Sequence, residues 1–183
     1  MEKQYRKIEE VLELLSPMQI ATLSDIYDNG DGALANEDTE KSIMYCKMAA
    51  EMGNAYAQST LANAYTIGRD VEQSDELALF WYTKAAEQGY PYAQYELGKR
   101  LRDEEGGLLW IHLSAKQGFT IAMKELSDRL LFSDPKESRK WLKRYYRNKD
   151  KRDAWRWHGK KYMREFKRER QPVVIDGEVV ILI

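Results

Sequence analysis

The sequence is short of the residues that do metal and covalent chemistry. Of 183 residues, one is cysteine and two are histidine. Cys46 alone cannot form an intramolecular disulfide, which fits a reducing compartment. His112 and His158 lie far apart with no ligand cluster beside them, so the close set of four ligands that zinc wants is missing. The run Asp28-Asn29-Gly30-Asp31-Gly32 is a poor calcium loop, because Gly30 and Gly32 occupy ligand positions and Thr39 stands where the closing glutamate should be. No phosphate loop, nucleophile elbow or kinase signature occurs. Acidic pairs such as Glu9-Glu10 and Glu104-Glu105 read as solvated helix surface. No apolar run approaches the roughly 18–20 residues of a spanning helix, and the charged start, Met1 to Lys7, lacks the apolar core of a signal peptide. These absences predict a cytoplasmic, non-catalytic protein without metal or cofactor.

What is present is charge, and it is segregated. The net charge is only −1. Residues 1–135 nevertheless carry 13 Lys/Arg against 23 Asp/Glu, whereas residues 136–171 carry 16 against 5. Such asymmetry suggests an anionic partner for the basic part, or two halves of the protein facing each other. Apolar residues make up 43% of the chain, enough to argue against disorder.

The chain also repeats itself. Residues 81–93 read WYTKAAEQGYPYA, residues 45–57 read YCKMAAEMGNAYA, and residues 110–122 read WIHLSAKQGFTIA. Each has an aromatic, a small pair, a glycine, and an alanine four residues after the glycine. Self-similarity on a scale of roughly 20–50 residues marks a stacked helical repeat. Gly53, Gly89 and Gly118 each follow a helix, where a left-handed residue is needed and glycine adopts it at little cost. The alanines let paired helices approach closely, and the Trp or Tyr fills the gap between hairpins. Asp38, Ser74, Asp103 and Asp134 stand at the expected N-caps. From Gly53 to Gly89 is 36 residues, and from Gly89 to Gly118 only 29, because the third repeat lacks its interhelix loop. His112 takes a helix position and reads as packing or surface. Cys46 aligns with Tyr82 and reads as a small buried hydrophobe.

On these residues the chain resembles the Sel1-like repeats, relatives of the tetratricopeptide repeat. The pattern is fullest over 57–93, with Ala57, Leu61, Ala62, Tyr65, Gly68, Val71, Ala78, Trp81, Tyr82, Ala85, Ala86 and Gly89. The resemblance covers about 19–146 and implies a right-handed superhelical solenoid of antiparallel helix pairs that acts as an adaptor, with no catalytic residues. Some members pair cysteines across each repeat and bind β-lactams; the lone cysteine here does not support that role. By analogy, similar bacterial proteins serve signalling complexes and toxin–immunity pairs.

The resulting organisation is a capping helix over 1–16, with an amphipathic stripe at Tyr5, Ile8, Val11, Leu12 and Leu15. Repeats over 17–147 follow, at about 17–53, 54–89, 90–118 and a degenerate 119–147. A basic aromatic helical cap occupies 148–171 and an apolar β tail 172–183. In the cap, Trp155, Tyr162, Met163 and Phe166 share helical spacing. Basic residues interleaved with aromatics suit nucleic acid, yet the same aromatics could pack on the last repeat. In the tail, Asp176-Gly177 between β-branched runs predicts a hairpin, which must be covered by this chain, a second copy or a partner.

The fold class expected is therefore an all-α solenoid with a short C-terminal hairpin or strand. Its expected function is to hold a protein or peptide. Candidate contacts are Gln58, Asn63, Gln94 and Arg100, taken as exposed on the first helices of the repeats, and Trp155, Arg156, Trp157, Lys160 and Lys161 in the basic segment. Nucleic-acid binding by 136–171 and a toxin–immunity role are the alternatives.

Overall fold

A computed structural model describes residues 5–29, 38–101, 104–149, 166–169, 171–175 and 178–182. The chain divides into two compact units, Met1–Ala78 with Arg164–Ile183, and Leu79–Met163.

In the first unit, strand β1 (Tyr5–Lys7) leads into a single helical turn, α1 (Ile8–Val11), and a short 3-10 turn over Leu12–Leu14. Helices α2 (Pro17–Asn29), α3 (Thr39–Glu51) and α4 (Ala55–Ile67) follow, and α5 (Asp75–Glu87) carries the chain onward. The unit closes with β2 (Val173–Ile175) and β3 (Glu178–Leu182). The three strands form one antiparallel sheet in the order β1-β3-β2.

The single capping helix expected near the N-terminus is corrected by this sheet. Tyr5 pairs with Leu182 and Lys7 with Val180, so the first residues are strand. The apolar stripe fits a helix as far as sequence spacing goes. A strand nearly all apolar at the other end of the chain, however, offers unpaired backbone that an adjacent segment can satisfy. The inward positions survive the change: Ile8, Val11 and Leu15 are buried, as are Val179, Val180 and Ile181. The tail is thus covered by this chain, and Ile175 pairs with Glu178 across the expected two-residue connection.

Ser16 starts α2 as a reciprocal cap. Its hydroxyl accepts from the Gln19 amide, at 3.2 Å, and the Gln19 side chain accepts from the Ser16 amide, at 2.9 Å. The same hydroxyl donates to Glu169, and Thr22 donates to Gln171, at 2.8 Å, tying α2 to the C-terminal segment. The Asp38 carboxylate caps α3 by accepting from the Lys41 amide, and Ser74 caps α5 by accepting from Leu77.

In the second unit, α6 (Pro91–Arg100), α7 (Glu104–Lys116), α8 (Thr120–Arg129) and α9 (Pro135–Asn148) pack in consecutive pairs. Asp134 caps α9 through the Glu137 amide; Asp103 lies outside the described residues. Where the third repeat has lost its loop, α6 and α7 meet at two glycines. A methyl on Gly98 would lie 2.6 Å from the Gly107 carbonyl oxygen, and one on Gly107 2.7 Å from that of Gly98. The core here joins Tyr95, Ile111, Ala115, Phe119, Ala122, Met123, Leu126 and Trp141.

The helix ends follow the expected chemistry. Gly53, Gly89 and Gly118 have φ of 91°, 86° and 103°. At Gly89 the chain turns with two backbone bonds, Gly89 N–H to Ala86 O and Tyr90 N–H to Ala85 O. This is the paired closure that a left-handed residue permits. The seam alanines Ala49, Ala50, Ala57, Ala62, Ala78, Ala85, Ala86, Ala93, Ala115 and Ala122 are all buried, as the repeat reading requires.

Candidate partner-binding surface

The first helix of each repeat presents the same positions, counted from the preceding glycine. Five residues on, the side chain turns inward. Gln58 and Gln94 occupy this position and are only 4% and 5% exposed. The expectation that they face solvent is therefore corrected. The Gln58 amide donates to the Ala50 carbonyl at 3.0 Å, and the Gln94 amide to the Ala86 carbonyl at 3.2 Å. Each adds a side-chain bond to a carbonyl at the end of the preceding helix that already accepts from the helix-ending glycine, Gly53 or Gly89. A buried glutamine is stable only with such partners. In the next repeat Met123 takes the position and is buried without a polar group. There Gln117 donates to the Gly89 carbonyl and to the Gln94 side chain, both at 2.8 Å.

Ten residues after the glycine the side chain faces out. Asn63 stands there on α4 and is exposed as expected. The equivalent residues are Lys99 on α6 and Asp128 on α8, also exposed. Arg100, the neighbouring candidate, is half-buried. It pairs with Glu96 and lies over the Tyr82 ring, 4.6 Å from its centroid. Its guanidinium is thus engaged in the fold, and burial with nearby Glu96 raises the pKa of Tyr92 while burial raises that of Tyr82.

A polar cluster that sequence reasoning missed lies among α2, α3 and α4. Asp25 accepts from the Tyr56 hydroxyl at 2.6 Å. Burial raises its pKa to about 6, against the lowering effect of that bond, with Asp28 adding to the rise. Asp28 in turn holds Arg69 at 2.8 Å. Ser24, Ser42 and Cys46 line the same small cavity. Cys46 is buried, donates weakly to the Ala57 carbonyl, and has its thiol pushed up to about 12, chiefly by burial. The sequence signal was faint: two aspartates three apart, Asp25 and Asp28, on a helix whose other buried positions, Ser24 aside, are apolar. His112 is held below its usual pKa by burial and then by Lys116, and packs edge-on against Trp141, at 5.3 Å. That is a packing role. Among the described residues no group of three or more His, Cys, Asp or Glu could hold a metal ion.

In the basic segment, Trp141 is buried in the second unit's core, with Arg144 over its ring at 4.6 Å. Tyr145 is half-buried and Tyr146 is 58% exposed. One described aromatic of the segment is therefore open enough to stack on a base, while the tryptophan is structural. Trp155, Arg156, Trp157, Lys160 and Lys161 lie outside the described residues. Among the described residues no helix is long and apolar enough to cross a membrane.

Comparison with known proteins agrees with this geometry. A profile described as Sel1 repeat matches residues 21–54, 55–90 and 91–119. The fold is similar to the crystal structure of a Sel1 repeat protein from Oxalobacter formigenes, with a TM-score of 0.68 and 25% identity, over 76% of this chain and 62% of that one. It is also similar to c5321, described as a protective antigen present in uropathogenic Escherichia coli strains and displaying an SLR fold. There the TM-score is 0.65 and the identity 25%, over 88% of this chain and 42% of that one. The chain thus spans less than two thirds of the length of either structure. No curated protein matches the sequence.

Proposed function

This chain belongs to the Sel1 repeat family, and from that premise we propose that it is a cytoplasmic, non-catalytic adaptor that holds a protein or peptide on the exposed faces of the first helices of its repeats. Sel1 repeats are commonly protein-interaction scaffolds and generally non-catalytic. The observation that carries the reading is the contrast between two repeat positions. The inward position stays buried throughout: Gln58 and Gln94 bond the end of the preceding helix, and Met123 packs in the core. The outward position changes chemistry across the three repeats that follow a helix-ending glycine: an amide at Asn63, a cation at Lys99, an anion at Asp128. Fixed interior and varied exterior are what a scaffold needs to discriminate partners.

The test is capture from the native host with the intact chain and with Asn63→Arg, Lys99→Glu and Asp128→Lys, read by mass spectrometry. One protein should be retained by the natural chain and lost from at least one variant. An identical set retained by all four chains overturns the reading.

Nucleic-acid binding by 136–171 is the second reading, supported by the exposed Tyr146 beside a run of exposed lysines and arginines on α9. It requires affinity for RNA or DNA that falls steeply with salt. No retention in a low-salt filter-binding assay disposes of it.

A further inference from the structure

A cleft of about 470 Å³ opens in the first unit. Its walls come from Lys47 on α3, Tyr65 near the end of α4, residues 70–74 between α4 and α5, and Leu77 in the first turn of α5. Ligand-sized clefts measure roughly 300–1,000 Å³, so it has room for a bulky side chain and adjoining backbone.

The lining has two characters. Tyr65 and Val71 are half-buried and Leu77 is 41% exposed, an apolar floor left partly open. Asp70 and Glu72 supply carboxylates, and the exposed Asp75 and Glu76 follow within one turn. Lys47 is the cation of the lining. Arg69 is shared between Asp28, at 2.8 Å, and Asp70, at 3.7 Å, so Asp70 is partly neutralised and Glu72 leads the acidic wall. The wall is also preformed. The Ser74 amide donates to the Tyr65 carbonyl at 2.9 Å, and the Gln73 side chain to the Thr66 carbonyl at 3.0 Å. Asp70 is held at φ 58°, a left-handed conformation unusual for a residue other than glycine. A pinned wall loses little entropy when something binds it.

We propose that this cleft docks a basic, aliphatic stretch of a partner protein. An aliphatic side chain of that stretch packs on Leu77, Val71 and Tyr65, and flanking lysines or arginines meet Asp70 and Glu72. The proposal rests on the scaffold reading and adds to it a second surface and the chemistry of what sits there. Charge decides the occupant. The stretch 68–77 carries four carboxylates and one arginine, so an acidic partner would be repelled.

The test uses the intact chain and fluorescein-labelled synthetic peptides, read by fluorescence anisotropy at physiological salt. One peptide alternates lysine with leucine between glycines; a second replaces leucine by serine, and a third replaces lysine by glutamate. The first should bind saturably and the other two at least about tenfold more weakly. Glu72→Lys and Leu77→Ser should each weaken binding of the first by about tenfold or more, and the same charge change at the exposed Glu87, Glu87→Lys, should not. Lys47→Glu should tighten it, a gain that misfolding cannot mimic. Equal binding of the leucine and serine peptides overturns the proposal, as does equal weakening by Glu72→Lys and Glu87→Lys. If light scattering shows a dimer that Leu77→Ser disperses, the occupant is a second copy and the proposed partner is wrong. If the peptides fail while capture still depends on Asn63, Lys99 or Asp128, the cleft proposal falls and the scaffold reading stands.

Discussion

Asp25 should make the first unit less stable at neutral pH than at mildly acidic pH. Its folded pKa is raised from 3.8 to about 6, first by burial. The folded state therefore binds a proton that the unfolded state has already released over the interval between those values. The stabilising contribution is fully present below about pH 4 and is lost as pH rises through about 6. A shift of about 2 units corresponds to roughly 3 kcal/mol as an upper bound. Asp25 keeps partial contact with solvent, which screens part of this and leaves an expected effect of about 1–2 kcal/mol. Asp25→Asn removes the charge and keeps an oxygen to accept from Tyr56, which now donates at 2.6 Å. The variant should be about 1–2 kcal/mol more stable than the natural chain at pH 8 and nearly equal to it at pH 4. Urea titrations followed by circular dichroism at each pH from 4 to 8 measure the difference. Asp28→Asn is the contrasting control, because it releases Arg69 and should destabilise. Parallel pH profiles for Asp25→Asn and the natural chain, or a less stable variant at pH 8, refute the argument.

Two glycine substitutions should destabilise for different reasons. At Gly89 an added methyl meets no atom within 4 Å, so Gly89→Val should cost more than about 1 kcal/mol through its left-handed backbone alone. At Gly98 the obstacle is steric: even alanine lies 2.6 Å from a backbone oxygen and 2.7 Å from Ile111. Gly98→Ala should cost about 1–3 kcal/mol in thermal or urea unfolding. A neutral Gly98→Ala would mean that α6 and α7 separate easily. Deleting 172–183 removes β2 and β3 and leaves β1 unpaired and Ile8 uncovered. The truncated chain should elute as larger species or precipitate in size-exclusion chromatography. Unchanged elution would show that the sheet is dispensable.

The repeat was legible because its determinants are local. A helix end needs a left-handed residue within the turn itself, so Gly53, Gly89 and Gly118 announce it. Caps act over three residues, so Asp38, Ser74 and Asp134 were found without knowing what the helices touch. The alanine seam recurs because each copy solves the same packing problem. Long-range determinants were not legible. β1 is a strand only because its partner, β3, arrives more than 170 residues later, with Tyr5 opposite Leu182. Periodicity over residues 5–15 could not reveal that. Asp25 was passed over because its environment is assembled from three helices.

The misreading of Gln58 and Gln94 teaches where partner choice can reside in this chain. A long polar side chain on a surface helix is ordinarily solvated, yet both of these are buried because each bonds a carbonyl at the end of the preceding helix, beside the glycine amide that already donates to it. The clue was recurrence: both stand five residues after a helix-ending glycine. A polar residue that recurs in register answers a need internal to the repeat. One that varies in register is released from that need. Asn63, Lys99 and Asp128 satisfy the second condition, and so does the acidic stretch that walls the cleft, since the third repeat has no loop there at all. In such a chain, specificity belongs at positions where the copies disagree. Replacing a recurrent glutamine should therefore lower stability and leave partner choice alone, while replacing Asn63 should do the reverse.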